Sequence, residues 1–444
     1  MLDTVSSPKS LLERALSVVT EVRAGEGFSA LLLAANGFYL LAFYQVLKVV
    51  REALILSEAG AVAASYASAG MAAVLLLFVP AYSAFAARVN RVKLVCGVTL
   101  FFASHLLIFY ALGSAGVKIG VWFYIWIGVF NMVAVAQFWA FANDVYTSER
   151  GRRLFPLVGV GATLGAALGA AFATVLFGGI GPYVLMLIAA AGLLVPVALT
   201  IIVHRRESAR NRESAKVTEQ PLAKANGFKL VLTNRYLLLI ALLVLIFNLV
   251  NTLGGFMLNS LIVAEAANRV AADPTLNSRA IIGTLSGTSQ TYANIVAFIL
   301  QTFVMSRIFK YIGVRGALFV LPLIALTGYS AIVALPVLAV VLWTKIFENG
   351  TDYSVQNTTR HALFLPTSRE AKYNAKQAID AFFVRTGDFL QAVVVFAGVQ
   401  LALTTRGFAM VNVILVVVWI ALAVAIGREH RKLVGSETET RHAA

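Results

Sequence analysis

HRRESARNRESAKVTEQPLAKANGFKLVLTNR (His204–Arg235) interrupts a chain that is otherwise a succession of apolar runs. The stretch carries Arg205, Arg206, Arg210, Arg212, Lys216, Lys224, Lys229 and Arg235. On either side lie runs of about 20 apolar residues, the length that crosses a bilayer core. Six precede it, near 28–50, 62–86, 93–113, 117–143, 155–177 and 181–203, and six follow, near 236–264, 282–306, 314–334, 336–358, 375–402 and 405–427. The predicted fold is therefore an all-α polytopic membrane protein with twelve transmembrane helices in two six-helix bundles. With 444 residues, 59% of them hydrophobic and only 13% charged, and a mean hydropathy of +0.83, a soluble globule is excluded.

The expected organisation is an N-terminal cytoplasmic segment (1–27), a first bundle (28–204), a basic cytoplasmic linker (205–235), a second bundle (236–428) and a cytoplasmic tail (429–444). In the first segment Leu11, Leu12, Ala15, Leu16, Val19 and Val22 form an apolar helical stripe, as in a short helix on the membrane surface. The hydrophobic run after it is too long for a signal peptide and lacks a clear cleavage site. Cys96, the only cysteine, falls within a span and can form no intrachain disulfide.

A net charge of +15 is of the size that accompanies nucleic-acid binding, but its placement points elsewhere. Outside the spans the bases concentrate on one membrane face, leaving only Lys118, Arg269, Arg279 and Arg406 on the other. The positive-inside rule then assigns both termini and the central loop to the cytoplasm.

Five bases lie within or at the lip of apolar stretches: Lys48, Arg51, Lys345, Arg360 and Arg385. A charge at the bilayer centre costs roughly 2.5–3.5 kcal/mol, so such side chains face water, an acid or an anionic substrate. YQVLKVVRE (Tyr44–Glu52) sets Lys48, Arg51 and Glu52 on one helix face, a place for phosphates or, equally, a structural ion pair. In FWAFANDV (Phe138–Val145), Gln137, Phe141 and Asp144 share a face, and Phe138, Trp139 and Asn143 adjoin it. Aromatics flanked by amides can stack a planar base, although aromatics near a helix end also form ordinary interfacial belts.

Lys345, Glu348 and Asp352 follow at i, i+3 and i+7, with Tyr353, Asn357 and Arg360 beyond. Lys372, Lys376 and Asp380 then run at fours, with Arg385 and Asp388 deeper. Lys345, Glu348, Asp352, Lys376, Asp380 and Asp388 can serve proton coupling or pair with one another. Asn248, Asn251 and Asn259, and likewise Ser286, Gln290 and Asn294, read as interhelical hydrogen-bonding stripes.

The halves echo each other about 220 residues apart, with Arg88 and Arg91 against Arg307 and Lys310, and Thr147, Ser148 and Arg152 against Thr367, Ser368 and Lys372. Two six-helix repeats around a central cavity are the major-facilitator plan. Gly161, Gly165 and Gly169, spaced at four, predict close approach of a neighbouring helix. No HExxH, GxSxG, Cys–His pair or Walker loop is present, and Gly159-x-Gly161 follows no strand, so neither an enzyme, a metal nor a cofactor is expected.

These segments resemble the ATP/ADP translocase (NTT) family, the nucleotide transporters of plastids and intracellular bacteria. YQVLKVVRE is similar to the family's first-helix Leu-Arg-x-x-Lys-Asp signature, with Lys48, Arg51 and Glu52 at its charged positions. FWAFANDV with Glu149, Arg152, Phe155, Pro156 and Gly159 resembles the fourth-helix exit, and KYNAKQAID (Lys372–Asp380) with Arg385 and Gly387 resembles the Lys-x-Lys-Gly-Lys-Ala-Ala-Ile-Asp stretch. The likeness spans most of residues 36–428. It implies a twelve-helix carrier of the bacterial cytoplasmic membrane, monomeric, exchanging nucleotides such as ATP and ADP or moving a related phosphorylated anion. Lys48 and Arg51 would then hold phosphates, and Phe138, Trp139 or Tyr353 would stack the base. Asp352, Asn357 and Arg360 depart from the family pattern, as does the uncharged GGFMLNS (Gly254–Ser260), which marks a divergent branch. Two other readings stay open: a carrier of another solute, proton-coupled through Glu348, Asp352 or Asp380, and a membrane sensor or scaffold without transport.

Overall fold

The computed structural model describes the backbone of residues 10–17, 20, 22–86, 88–146, 148–210, 227–364, 366, 367, 371 and 375–443. Val19, Thr147, Ser368, Lys372 and the linker bases Arg212, Lys216 and Lys224 lie outside the described residues, as do the side chains of Ala15, Arg91, Ser148, Glu149 and Arg152.

Helices account for nearly everything described. In chain order they are α1 (Leu11–Leu16), α2 (Gly27–Glu58), α3 (Gly60–Ala86), α4 (Arg91–Ser114), α5 (Gly120–Val145), α6 (Ser148–Gly192), α7 (Leu194–Arg210) and α8 (Gly227–Thr233). Then come α9 (Arg235–Ala272), α10 (Ser278–Ile299), α11 (Met305–Tyr311), α12 (Gly313–Ala317), α13 (Val320–Ala334), α14 (Leu338–Thr351), α15 (Asn357–Leu363), α16 (Lys376–Ala378), α17 (Val384–Gln400) and α18 (Thr405–Ala443). Among the described residues, ten stretches are long and apolar enough to cross a membrane. Two features depart from straight spans. Within α6 the backbone breaks at Gly181 (φ 73°, ψ 175°), a region open essentially only to glycine, and Pro182 begins the next helical run without needing a donor. The stretch from Leu338 to Leu363 is divided by a π-helical turn, Asp352–Gln356, and further π turns occupy Leu300–Val304 and Ile379–Phe383.

The chain divides into two compact units. Unit one comprises Met1–Glu52, Pro80–Ile119 and Trp126–Thr218, and unit two Ala53–Val79, Gly120–Ile125 and Glu219–Ala444. The end of α2, α3 up to Val79 and the start of α5 thus pack with the second unit.

In unit one, α6 lies directly on α2. A Cβ at Gly161, Gly165 or Gly169 would sit 2.5, 2.1 or 2.2 Å from the carbonyl oxygens of Ala34, Phe38 and Ala42 respectively. Both rows advance by four residues, so the glycine ridge on α6 follows the backbone of α2 over two turns. Asn36 fixes α7 against α2 by donating to Thr200 Oγ1 (2.8 Å) and the Pro196 carbonyl (3.3 Å). At the entry to α2, Glu26 accepts two hydrogen bonds from Arg153 (3.0 Å each) and one from Arg150 (3.2 Å), while Arg150 also reaches Glu207 (3.1 Å). Burial disfavours the charged form of Glu26, but hydrogen bonds from Arg153 and the Arg23 amide, with the charges of Arg153 and Arg150, outweigh it and hold its carboxyl below the usual glutamate range. A group with a depressed folded-state pKa stabilises above its unfolded value, about 4.3, and loses that contribution as pH falls through the folded value. Glu26→Gln is accordingly expected to lower the thermal midpoint at neutral pH. Its difference from wild type should close as the pH is taken below about 4, by thermal denaturation in detergent.

Unit two is organised on α9, which packs with α10, α14, α17 and α18. Trp419 on α18 lies 5.4 Å from Phe247 on α9, and Phe256 on α9 is edge-on to Phe408 on α18 at 5.1 Å. Glu58, at the end of α2, accepts from the Gly120 amide (2.7 Å) and pairs with Arg279 at the start of α10 (3.5 Å). Arg279 is one of the four bases expected on the base-poor face, and this pairing would give it a structural reason to be there.

Candidate functional site

The first cluster of candidate residues belongs to unit one. Lys48 and Arg51 are half-buried near the end of α2, inside an apolar span. Arg51 donates from Nε to Glu52 Oε1 (3.1 Å) and pairs with the same oxygen through Nη2, whereas the buried Glu52 Oε2 has no hydrogen-bond partner. Arg51 and Glu52 are sequence neighbours, so this contact stays within α2.

On α5, Gln137 is buried with Oε1 unpartnered, and Phe138, only 2% exposed, fills the space beside Gly37 of α2. Trp139 is half-buried and edge-on to both Phe138 (5.3 Å) and Phe155 (5.9 Å). Asn143 and Asp144 are exposed at the end of the helix. The aromatics of FWAFANDV therefore play different parts: Phe138 is core, whereas Trp139 keeps part of its surface exposed.

The second cluster belongs to unit two and has three layers. Deepest is a fully buried network around Lys345 and Glu348, 2% and 0% exposed. Lys345 Nζ donates to Glu348 Oε2 (2.8 Å) and to the Asn251 carbonyl (2.9 Å), and Tyr329 OH donates to the same Glu348 oxygen (2.7 Å). Asn412 Nδ2 donates to the Val250 carbonyl (3.1 Å) and Asn251 Nδ2 to Asn349 Oδ1 (3.1 Å), so α9, α13, α14 and α18 meet at one polar knot. Glu348 Oε1 has no partner.

Next is the α17 group. Arg385 Nη1 donates to Asp388 Oδ2 (2.9 Å), and Asn248 Nδ2 donates to Asp388 Oδ1 (2.7 Å) and to the Val384 carbonyl (2.8 Å). Outermost, Lys376 Nζ lies 3.1 Å from Asp380 Oδ2, and Arg360 Nη2 lies 4.0 Å from Asp380 Oδ1, at hydrogen-bond and at ion-pair range respectively. Asp352 is half-buried at the start of its π turn, Tyr353 is 38% exposed, and Asn357 is exposed. A π turn carries an extra residue, so the i, i+3, i+7 spacing that joins Lys345 to Glu348 does not continue to Asn357 and Arg360.

Arg51, Lys345, Arg360 and Arg385 thus each have a carboxylate at ion-pair distance. Only Lys345 is sealed off; Arg51, Arg360 and Arg385 keep part of their surface accessible. Asn248 and Asn251 make the interhelical hydrogen bonds expected of their stripe. Tyr329 and Asn412 were not among the sequence candidates. A tyrosine in the middle of an apolar run is the signal that could have found the first, because a buried phenol needs a partner. Among the described residues, no group of His, Cys, Asp and Glu could hold a metal ion.

The profile of the TLC ATP/ADP transporter family matches residues 121–430. A curated relative, ADP,ATP carrier protein 2 of Chlamydia pneumoniae, is 25% identical over 68% of this chain, and the chain spans 64% of that relative's length. Among solved structures, the nucleoside transporter NupG superposes with a TM-score of 0.60 at 15% identity, over 90% of this chain and 98% of its own. The peptide transporter POT in complex with sulfate gives 0.62 at 12% identity, over 94% and 99%. A bacterial homologue of the iron transporter ferroportin, in an inward-facing state, gives 0.60 at 13% identity, over 90% and 98%. At such identities the likeness shows the fold, a major-facilitator-type arrangement of membrane helices.

Proposed function

The chain belongs to the TLC ATP/ADP transporter family, a family of carriers, and on that premise we propose that it moves nucleotides or a related phosphorylated anion by alternating access. The observation that carries the reading is the placement of Lys48 and Arg51, partly accessible cations inside an apolar span, at the charged positions of the family's first-helix signature. A phosphate offers such a pair what the bilayer cannot, negative oxygens for the planar fork of Arg and the compact charge of Lys. Trp139 in unit one and Tyr353 in unit two are the rings open enough to stack a base, with Phe138 as the backing for Trp139. Gln137, Asn143, Asp144 and Asn357 supply amide and carboxylate edges, and Arg360 and Arg385 are further anion contacts. The Lys376–Asp380 and Lys345–Glu348 pairs, with Asp352, serve as structural or coupling groups.

Twelve crossings follow from the same chain. The longest candidate span, Arg153–Glu207, has 55 residues, which at 1.5 Å per residue would run about 80 Å, more than twice a hydrocarbon core. The break at Gly181 divides it into two crossings, and Leu338–Leu363, interrupted by its π turn, makes another. With the bases concentrated on one face, both termini lie in the cytoplasm, and the membrane is the bacterial inner membrane.

The test uses purified protein. Binding of ATP, ADP and inorganic phosphate by thermal shift identifies the ligand, since a bound anion raises the unfolding midpoint by mass action. Vesicles preloaded with ADP that accumulate labelled ATP would establish exchange. Lys48→Gln and Arg51→Gln are each expected to weaken ATP binding about 10- to 100-fold, the range set by one charge-assisted hydrogen bond, with normal membrane abundance. Wild-type affinity in both variants would remove the phosphate role from this pair. Uptake that stops with a proton uncoupler and ignores internal nucleotide would instead favour a proton-coupled carrier of another solute.

A further inference from the structure

We infer that Asp388 and Asn248 are positioning residues for Arg385, holding its guanidinium so that its remaining donors meet an anionic ligand. The inference rests on the carrier reading and adds to it the support behind one of its anion contacts.

The geometry runs from buried to accessible. Asn248, on α9, donates through one amide nitrogen to both Asp388 Oδ1 and the Val384 carbonyl, so its own orientation is fixed by two acceptors on α17. Asp388 is buried, and its two oxygens are divided: Oδ1 receives Asn248 and Oδ2 receives Arg385. A carboxylate used in this way cannot swing to follow the guanidinium, so it sets the position of the base. Gly387 brings the two helices close enough, because a Cβ there would come within 2.9 Å of Asn248 Nδ2 and 3.0 Å of the Leu245 carbonyl.

Arg385 is the outer member, with its side chain 20% exposed. Its hydrogen bond to Asp388 uses Nη1 alone, and among the described residues its other guanidinium donors make no hydrogen bond. The exposed part of a guanidinium within a span faces either lipid or water, and lipid is the costly choice. A planar fork gripped at one end and wetted at the other is pre-organised: less side-chain freedom is lost when a phosphate or carboxylate takes the remaining N–H groups. A purely structural ion pair would instead turn both edges of the fork inward.

The experiment measures binding of ATP and of inorganic phosphate to the purified full chain, in a double-mutant cycle of Asp388→Asn and Arg385→Gln. Asparagine keeps the shape and an acceptor for Asn248 while removing the charge that grips Arg385. The expected result is that Arg385→Gln weakens ATP binding tenfold or more and Asp388→Asn weakens it severalfold to tenfold. In the Arg385→Gln background, Asp388→Asn should then change affinity by less than twofold. If the loss from Asp388→Asn is the same in both backgrounds, Asp388 acts on the fold generally and the inference is overturned. It is overturned equally if both single variants bind like wild type while Lys48→Gln does not, and in that outcome the carrier reading stands. Wild-type protein that binds neither ATP, ADP nor phosphate refutes the reading and the inference together. Should Asp388→Asn not accumulate, Asn248→Ser tests the same relay from its far end. A smaller loss of affinity that vanishes without Arg385 supports the inference, and one that persists overturns it.

Discussion

Alanine at position 165 is expected to destabilise the protein although alanine is the better helix former. The propensity term favours the substitution by about 1 kcal/mol. Against it stands contact with rigid backbone: the new Cβ would lie 2.1 Å from the Phe38 carbonyl oxygen, with the Phe38 carbonyl carbon and Cα both at 2.7 Å. No rotamer relieves such a clash, so α2 and α6 must separate, which loosens the flanking contacts at Gly161–Ala34 and Gly169–Ala42 as well. Overpacking of this kind costs about 1–3 kcal/mol and outweighs the propensity gain. Valine, with two further methyl groups in the same space, should prevent accumulation altogether. Gly159→Ala is the internal control, because the same helix has nothing within 4 Å of a Cβ there, and that variant should equal or slightly exceed wild type. Thermal unfolding in detergent decides the matter: a Gly165→Ala protein as stable as Gly159→Ala would mean that α2 and α6 do not touch.

The glycine ridge was readable because its cause is local, a spacing of four on one helix, and only its partner on α2 had to come from the structure. Lys345 and Glu348 were correctly placed on one stripe by their i, i+3 spacing. Beyond Asp352 that arithmetic fails, because the π turn inserts a residue and nothing in TDYSVQ (Thr351–Gln356) announces it. The partners of the pairs were illegible for a different reason. Tyr329 and Asn412 lie 19 and 64 residues from Glu348, on other helices, and only packing brings them to it or to its neighbour Val250. The two rings Phe138 and Trp139, adjacent in sequence, part company because successive helical positions point about 100° apart, so one meets Gly37 and the other stays half-buried.

Lys345→Met should be the more damaging of the two substitutions that break the buried pair. The variant would leave Glu348 at 0% exposure with Tyr329 as its remaining donor and one oxygen already without a partner. Removing one member of a buried ion pair typically costs about 3–5 kcal/mol, because the other charge cannot reach water. Glu348→Gln should cost less: Lys345 keeps the Asn251 carbonyl, and the glutamine oxygen can still accept from Tyr329. Replacing both, Lys345→Met with Glu348→Leu, removes the charges together and should recover most of the stability lost in Lys345→Met, leaving the Tyr329 hydroxyl with the Val250 carbonyl at 3.3 Å. The comparison is made on thermal midpoints of the purified proteins. A double variant no more stable than Lys345→Met would show that the knot joining α9, α13, α14 and α18 depends on its charges and not on removal of an unpaired one. Function then separates the remaining roles. If the pair is only a clamp, the double variant folds and keeps whatever transport the wild type shows. If the pair is a coupling group, the same protein folds, keeps the ligand shift of the wild type and transports nothing, because a coupled conformational cycle needs a charge that can change partners.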